Sequence, residues 1–238
     1  SKLRYKLFRD SPMDRFDTLT LRCFSTDSWH FKDGGARYRR WDSQFIRDVW
    51  MRDTQLAMEH GSSHGTYVHL YVNGIYWGLY NPSERPDDDF QHSYAQLENV
   101  PESDSETDWD IVKDFNELFR GNRTSWNQLM SAAGSGLGSE TAYQRVQGNN
   151  PDGTPNLSYP VLLDVENLVD YMILHLYGCS EDWPHHNWYG ARSRTDRSRG
   201  WRFFVWDQEI VMDFQFRNRI DVNNDNSPAR VYASLRAN

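Results

Sequence analysis

Cysteine is almost missing: 238 residues hold two, Cys23 and Cys179. They stand far apart and match no metal-ligand or redox spacing, which excludes a disulfide-stapled scaffold and a cysteine-based zinc site. One disulfide is possible, and two free thiols are the expected state. Long apolar runs are also absent. Nothing reaches transmembrane length, and no signal peptide is visible at Ser1. A basic surplus is lacking too, with 26 Lys and Arg against 34 Asp and Glu and a net charge of −8. That balance speaks against nucleic acid as the main partner. What the chain has in quantity is aromatic side chains, at 15% with 10 Trp. They supply a packed core despite a mean hydropathy of −0.84, so disorder is excluded. The length suits one large domain or two lobes around a cleft.

Local patterns place the elements. Leu19 to Phe24 alternates as a strand does. Gln44 to His60 reads as a helix with Phe45, Ile46, Val49, Trp50, Leu56 and Ala57 on one face, stopping at Gly61. Thr66–Val72 and Ile75–Tyr80 flank Asn73-Gly74, a strong hairpin signal because both turn residues need positive φ. Asn81 to Pro86 is expected to break the sheet. Pro101 to Asp108 reads as a solvated acidic loop, Trp109 to Phe119 as a short helix, and Ser131 to Tyr159 as a long surface insertion, mobile at its centre. Asp164 is a good N-cap for a helix whose Val165, Leu168, Val169, Met172, Ile173 and Leu176 form a regular apolar face up to Gly178. Trp188–Ala191 and Trp201–Trp206 are expected to pair across a polar turn.

Two acidic motifs follow that last helix. Asp182-Trp183-Pro184-His185-His186-Asn187 sets an Asp and an Asn five residues apart. Trp206-Asp207-Gln208-Glu209 ends the apolar run Phe203-Phe204-Val205. Helix, loop, strand, turn, strand, Asp is the order in which a kinase presents its catalytic loop and its metal-binding Asp. Phosphoryl transfer needs positioned carboxylates and cations more than covalent chemistry from the protein. Asp182 and Asn187 have a plainer reading as helix-end and turn residues. Asp207, beside a heavily aromatic strand, needs a partner such as a metal ion. The adjacent His185 and His186 point in different directions and lack a clear third ligand, which disfavours zinc. Asp221 to Ser227 imitates the start of an EF-hand loop but has Asn226 where Gly is required and Tyr232 where the bidentate Glu belongs.

The chain resembles the CotH kinase family, the spore coat protein H-like atypical protein kinases. The matching residues are Phe45-Ile46-Arg47-Asp48, the hairpin Val68 to Tyr80, Glu84-Arg85-Pro86-Asp87, Asp182-Trp183-Pro184 with Asn187-Trp188-Tyr189, Trp201 to Asp207, and Asn224 to Arg230. The resemblance implies an α+β, kinase-like bilobal fold: a small mixed N-lobe over 1–89, and a larger, mostly helical C-lobe over 90–238. It implies ATP, Mg²⁺ or Mn²⁺, and transfer of the γ-phosphate to a protein Ser or Thr hydroxyl. By position, Asp182 is expected as the catalytic aspartate and Asn187 and Asp207 as metal ligands. Glu84 is expected where the lobes join, near the adenine. A bacterial, extracellular or spore-surface location goes with the family, without membrane insertion.

The family's N-terminal Lys-bearing strand has no evident counterpart before Ser1-Lys2-Leu3, and no Gly-rich phosphate loop is present. Phosphate binding is then expected to fall to other cations, Lys6 and Arg47 foremost, with Arg22 and Arg52 as further candidates. The alternative is a catalytically weak pseudokinase that serves as a structural or coat-binding module. A metal-dependent hydrolase using the same carboxylates on water is a third possibility.

Overall fold

The computed structural model describes residues 2–29, 40–213, 217–224 and 226–236. Strands β1 (Leu3–Arg4) and β2 (Arg15–Phe16) pair antiparallel. Next come β3 (Leu19–Arg22), α1 (Arg47–Ala57), β4 (Val68–Val72) and β5 (Ile75–Glu84), and the three strands form an antiparallel sheet in the order β3-β5-β4. The chain continues through α2 (Asp88–Ala95), β6 (Trp109–Lys113), β7 (Glu117–Arg120), α3 (Thr124–Ser135), α4 (Glu140–Val146), α5 (Val165–Tyr177), β8 (Trp188–Ser193), β9 (Arg202–Val205) and α6 (Pro228–Leu235). A second antiparallel sheet has the order β7-β6-β8-β9. The class is mixed α and β, as expected.

The Asn73-Gly74 turn has φ of 51° and 80°, the left-handed pair that its sequence demands. The β8–β9 hairpin forms as predicted, with Trp188 opposite Val205. Asp164 caps α5 by accepting the Asn167 N–H at 3.0 Å. Neither Cys23 nor Cys179 is in a disulfide.

Other expectations fail for identifiable reasons. The sheet does not break at Asn81: β5 runs on to Glu84, because Asn81–Glu84 pair with β3 after β4 has ended. Trp109 to Phe119 is a hairpin rather than a helix. β6 lies between β7 and β8, and pairing with a strand about eighty residues away overrides its local pattern. The first half of the region from Ser131 takes regular structure, while residues 147–159 form a mostly exposed loop without helix or named strand. That first half completes α3, forms α4 with Ser139 as N-cap, and buries Ala133, Leu137 and Val146. Glu102 is not solvated; it is buried and accepts from Arg202 at 2.6 Å and from the Arg199 N–H at 2.9 Å.

α1 buries a different face from the one its apolar pattern suggests, whereas α5 keeps Leu168 and Met172 of its expected face in the core, with Val165 and Leu176 packed against it, and is turned so that Tyr171 and His175 join them. α1 buries Arg47, Asp48, Met51, Arg52 and Gln55, and leaves Ile46 exposed. α5 buries Leu168, Tyr171, Met172, Leu174 and His175, while Val169 and Ile173 are exposed. The largest core gathers α5 with Trp126, Trp183, Trp188, Trp201 and Phe203. The Trp126 ring lies 5.6 Å from Trp188 and 5.2 Å from Trp201. This aromatic mass fixes β8 and β9; one acidic motif immediately precedes β8 and the other immediately follows β9.

Candidate functional site

Asp207 directly follows Trp206, just past the end of β9, and Asn187 immediately precedes β8. Because Trp188 sits opposite Val205, both residues emerge at the same end of adjacent strands. Gln208 ties them further by donating its side-chain amide to the Asn187 carbonyl at 3.0 Å. The Asp182 loop joins the same place, since the Glu181 N–H donates to the Ile210 carbonyl at 3.1 Å. The segments 181–187 and 207–210 therefore run side by side. Asp182 is half-buried and Asn187 buried.

Backbone strain marks both motif residues: φ is +63° at Asn187 and +56° at Asp207. Asn and Asp tolerate the left-handed region better than most residues, yet it must be held. Asp114 holds the first. Its Oδ1 accepts the backbone N–H of Asn187 at 2.7 Å and of Trp188 at 3.2 Å. The Gln208 N–H, next to Asp207, is held by Asp48 Oδ1 at 2.8 Å.

Arg22, at the end of β3, is the centre of the charge. It is buried, bonds Asp207 through Nη2, and meets Glu209 at 2.9 Å and Asp48 at 3.3 Å. Burial disfavours its charge, but Asp48, Asp207 and Glu209 together raise its pKa above the ordinary value. Asp48, fully buried, is held below the usual carboxylate range by Arg22 and Arg52 against the effect of burial. Asp207 goes the other way. Burial raises it, and Glu209 adds to this, beyond what Arg22 recovers. Arg22 also lies 5.4 Å from the Trp206 ring centroid, and Trp206 packs edge-on against Tyr189 at 5.2 Å. Phe119 continues the aromatic row, and Arg85 stands 4.8 Å from it while donating to the Tyr189 hydroxyl at 3.3 Å. A cation thus sits at each end of an aromatic row beside Asp207.

The other expected phosphate cations lie elsewhere. Arg47 bonds Asp27 at 3.1 Å, Asp213 at 2.7 Å and the Asp42 carbonyl at 2.9 Å, so it braces α1 against the segment that follows Asp207. Lys6 is exposed and donates to the Ser11 carbonyl. Arg52 is buried among Asp48, Asn81 and the Ser63 carbonyl. Glu84 is buried as well. It accepts the His64 N–H, the His64 ring and the Tyr94 hydroxyl, each at 2.9 Å, and borders a cavity of about 20 Å³, room for one water. Arg85, the next residue, reaches the aromatic row instead.

Sequence reasoning named Arg22 only among several cations and missed Asp114. Position on the strand before α1 was the available signal for Arg22. Asp114 grips a loop 73 residues away and carries no local signature. Among the described residues no three His, Cys, Asp or Glu side chains are grouped to hold a metal. The donor set of Asp207 and Asn187, one carboxylate and one amide oxygen, still fits a hard cation of the Mg²⁺ type, which takes few protein ligands and fills its shell with phosphate oxygens and water. Asp225 of the EF-hand-like segment lies outside the described residues. No helix among the described residues is long and apolar enough to cross a membrane.

A family model described as CotH kinase protein matches residues 40–234. No curated protein matches the chain.

Proposed function

The chain belongs to the CotH kinase family, and we propose that it is a protein kinase moving the γ-phosphate of ATP to a Ser or Thr hydroxyl, with a small N-lobe over 1–89 and a larger C-lobe over 90–238. The observation that carries this reading is the junction at Arg22. A buried cation on the strand before α1 meets a carboxylate of that helix and the aspartate after β9. Protein kinases pair a strand cation with a helix carboxylate next to their metal-binding Asp.

In this reading each residue has a physical task. Asp207 and Asn187 offer oxygen ligands to Mg²⁺ or Mn²⁺, which would neutralise charge on the transferred phosphoryl group when bound. Arg22 is held by Asp48 so that its guanidinium stays beside Asp207, where phosphate oxygens would compete for its donors. Trp206 and Arg85 border the nucleotide. Asp182 orients the acceptor hydroxyl and takes its proton. Asp114 keeps the loop in the strained form that presents Asn187.

Two variants test the assignment. Asp182→Ala is expected to abolish radiolabelled phosphate transfer while ATP and Mg²⁺ still raise the melting temperature. Asp207→Ala should lose both. Transfer at the wild-type rate by either variant would remove that residue from its role. A chain that ATP and metal do not stabilise at all would instead fit a binding module with a kinase-like fold.

A further inference from the structure

The β6–β7 turn holds an exposed aromatic ring in a conformation that costs free energy. Phe115 has φ of +40° and Asn116 +63°, and Phe115 is 73% exposed. A bulky residue in this region is uncommon and persists only where its surroundings over-determine it. Here they do. Asp114 on one side grips the Asn187 and Trp188 N–H groups, and Asn116 on the other accepts the Trp126 ring N–H at 2.7 Å. Between them the Phe115 N–H donates to the His185 carbonyl at 2.8 Å.

The result is a shelf of three rings. Phe115 stacks on His186 with centroids 5.1 Å apart and planes 12° apart, and lies 5.8 Å from the His185 ring. The two imidazoles are 4.2 Å from each other. Both belong to the loop between Asp182 and Asn187. Burial contributes little to keeping a ring this exposed, and Asn would relieve the backbone. A strained, solvent-facing phenyl beside the acceptor-orienting loop is suited to contact something outside the chain.

We propose that Phe115, with His185 and His186, is the platform on which the acceptor protein packs an apolar or aromatic side chain next to its Ser or Thr. The proposal rests on the kinase reading of Asp182. Phe115 is then a specificity-determining residue, and the substrate class is a protein segment with an apolar residue flanking the hydroxyl.

The test uses the full chain and an array of Ser- and Thr-containing peptides with each flanking position varied. Binding is read first, with Mg²⁺ and a non-hydrolysable ATP analogue, so that no turnover is needed. Wild-type protein should select apolar residues at one flanking position. Phe115→Ala should lose that selection and bind the preferred peptides about tenfold more weakly, with the thermal shift caused by the nucleotide analogue unchanged. Phe115→Asn serves as a second variant that suits the left-handed backbone. It should melt no lower than wild type and show the same loss, and Phe115→Trp should restore selection. Equal selectivity in wild type and both ring-less variants would overturn the proposal, as would a wild-type preference for charged flanking residues or none. Failure of the kinase reading shows separately, as transfer that survives Asp182→Ala.

Discussion

His175 shows how one buried side chain can govern the loop that follows it. It is fully buried on α5, stacked 4.5 Å from Trp183, with the Tyr171 ring tilted against it at 4.3 Å and Nδ1 hydrogen-bonded to Ser180 at 3.0 Å. Its Nε2 has no partner. Burial pushes its pKa down to about 3 from an ordinary 6.5. The folded state therefore keeps the imidazole neutral while the unfolded chain protonates it below 6.5. Stability from this group is present above that pH and is lost as pH falls towards 3, at about 1.4 kcal/mol per unit. Denaturant titrations should show this slope in wild type. His175→Phe, which keeps a ring against Trp183, should flatten it over the same window. An unchanged slope would mean that the acid sensitivity arises elsewhere.

At the scale of elements, what was legible in the sequence was what local chemistry decides. Asn73-Gly74 forced its turn, Asp164 capped its helix, and the aromatic run before Asp207 became a buried strand. What was not legible depended on distant partners. β6 is a strand because β8 lies beside it, and α1 buries its ionic face because Arg22, Asn81 and Gln208 await it. Residue types at the candidate site could be read, while the bond from Asp114 to the Asn187 loop could not. α5 gives a direct test of the same lesson. Its periodicity marks Leu168 and Ile173 alike as core, yet Leu168 is fully buried and Ile173 is 52% exposed. Leu168→Ala should cost about 2–5 kcal/mol through the cavity that it leaves. Ile173→Lys should change stability by no more than about 0.5 kcal/mol. Equal costs in chemical denaturation would show that the apolar pattern, and not the observed packing, describes this helix.

Across the whole molecule, Arg22 is the point where separate elements depend on one another. Its Nε faces Asp48 of α1, and its Nη2 reaches Asp207 and Glu209 beyond β9. Removing it leaves Asp207 and the buried Glu209 without this cation and Asp48 with Arg52 alone, so Arg22→Gln should destabilise the protein by about 3–5 kcal/mol. The pH dependence is more specific. Asp207 already has a raised pKa from burial, partly countered by Arg22. It loses its charge at a higher pH than an ordinary Asp does, and on the proposed reading the metal would be lost with that charge. Without Arg22 that acid limit moves higher still. The stabilisation of Arg22→Gln by ATP and Mg²⁺ should therefore fade at a pH about one unit above the wild-type limit. Arg22→Lys supplies the charge as a compact ammonium that cannot present a planar fork to Asp48 and to Asp207 with Glu209 at once. It should keep the acid limit near the wild-type position while still lowering the melting temperature. If Lys and Gln shift the limit equally, the position needs the guanidinium's geometry rather than its charge, and Arg22 acts on Asp207 through shape alone.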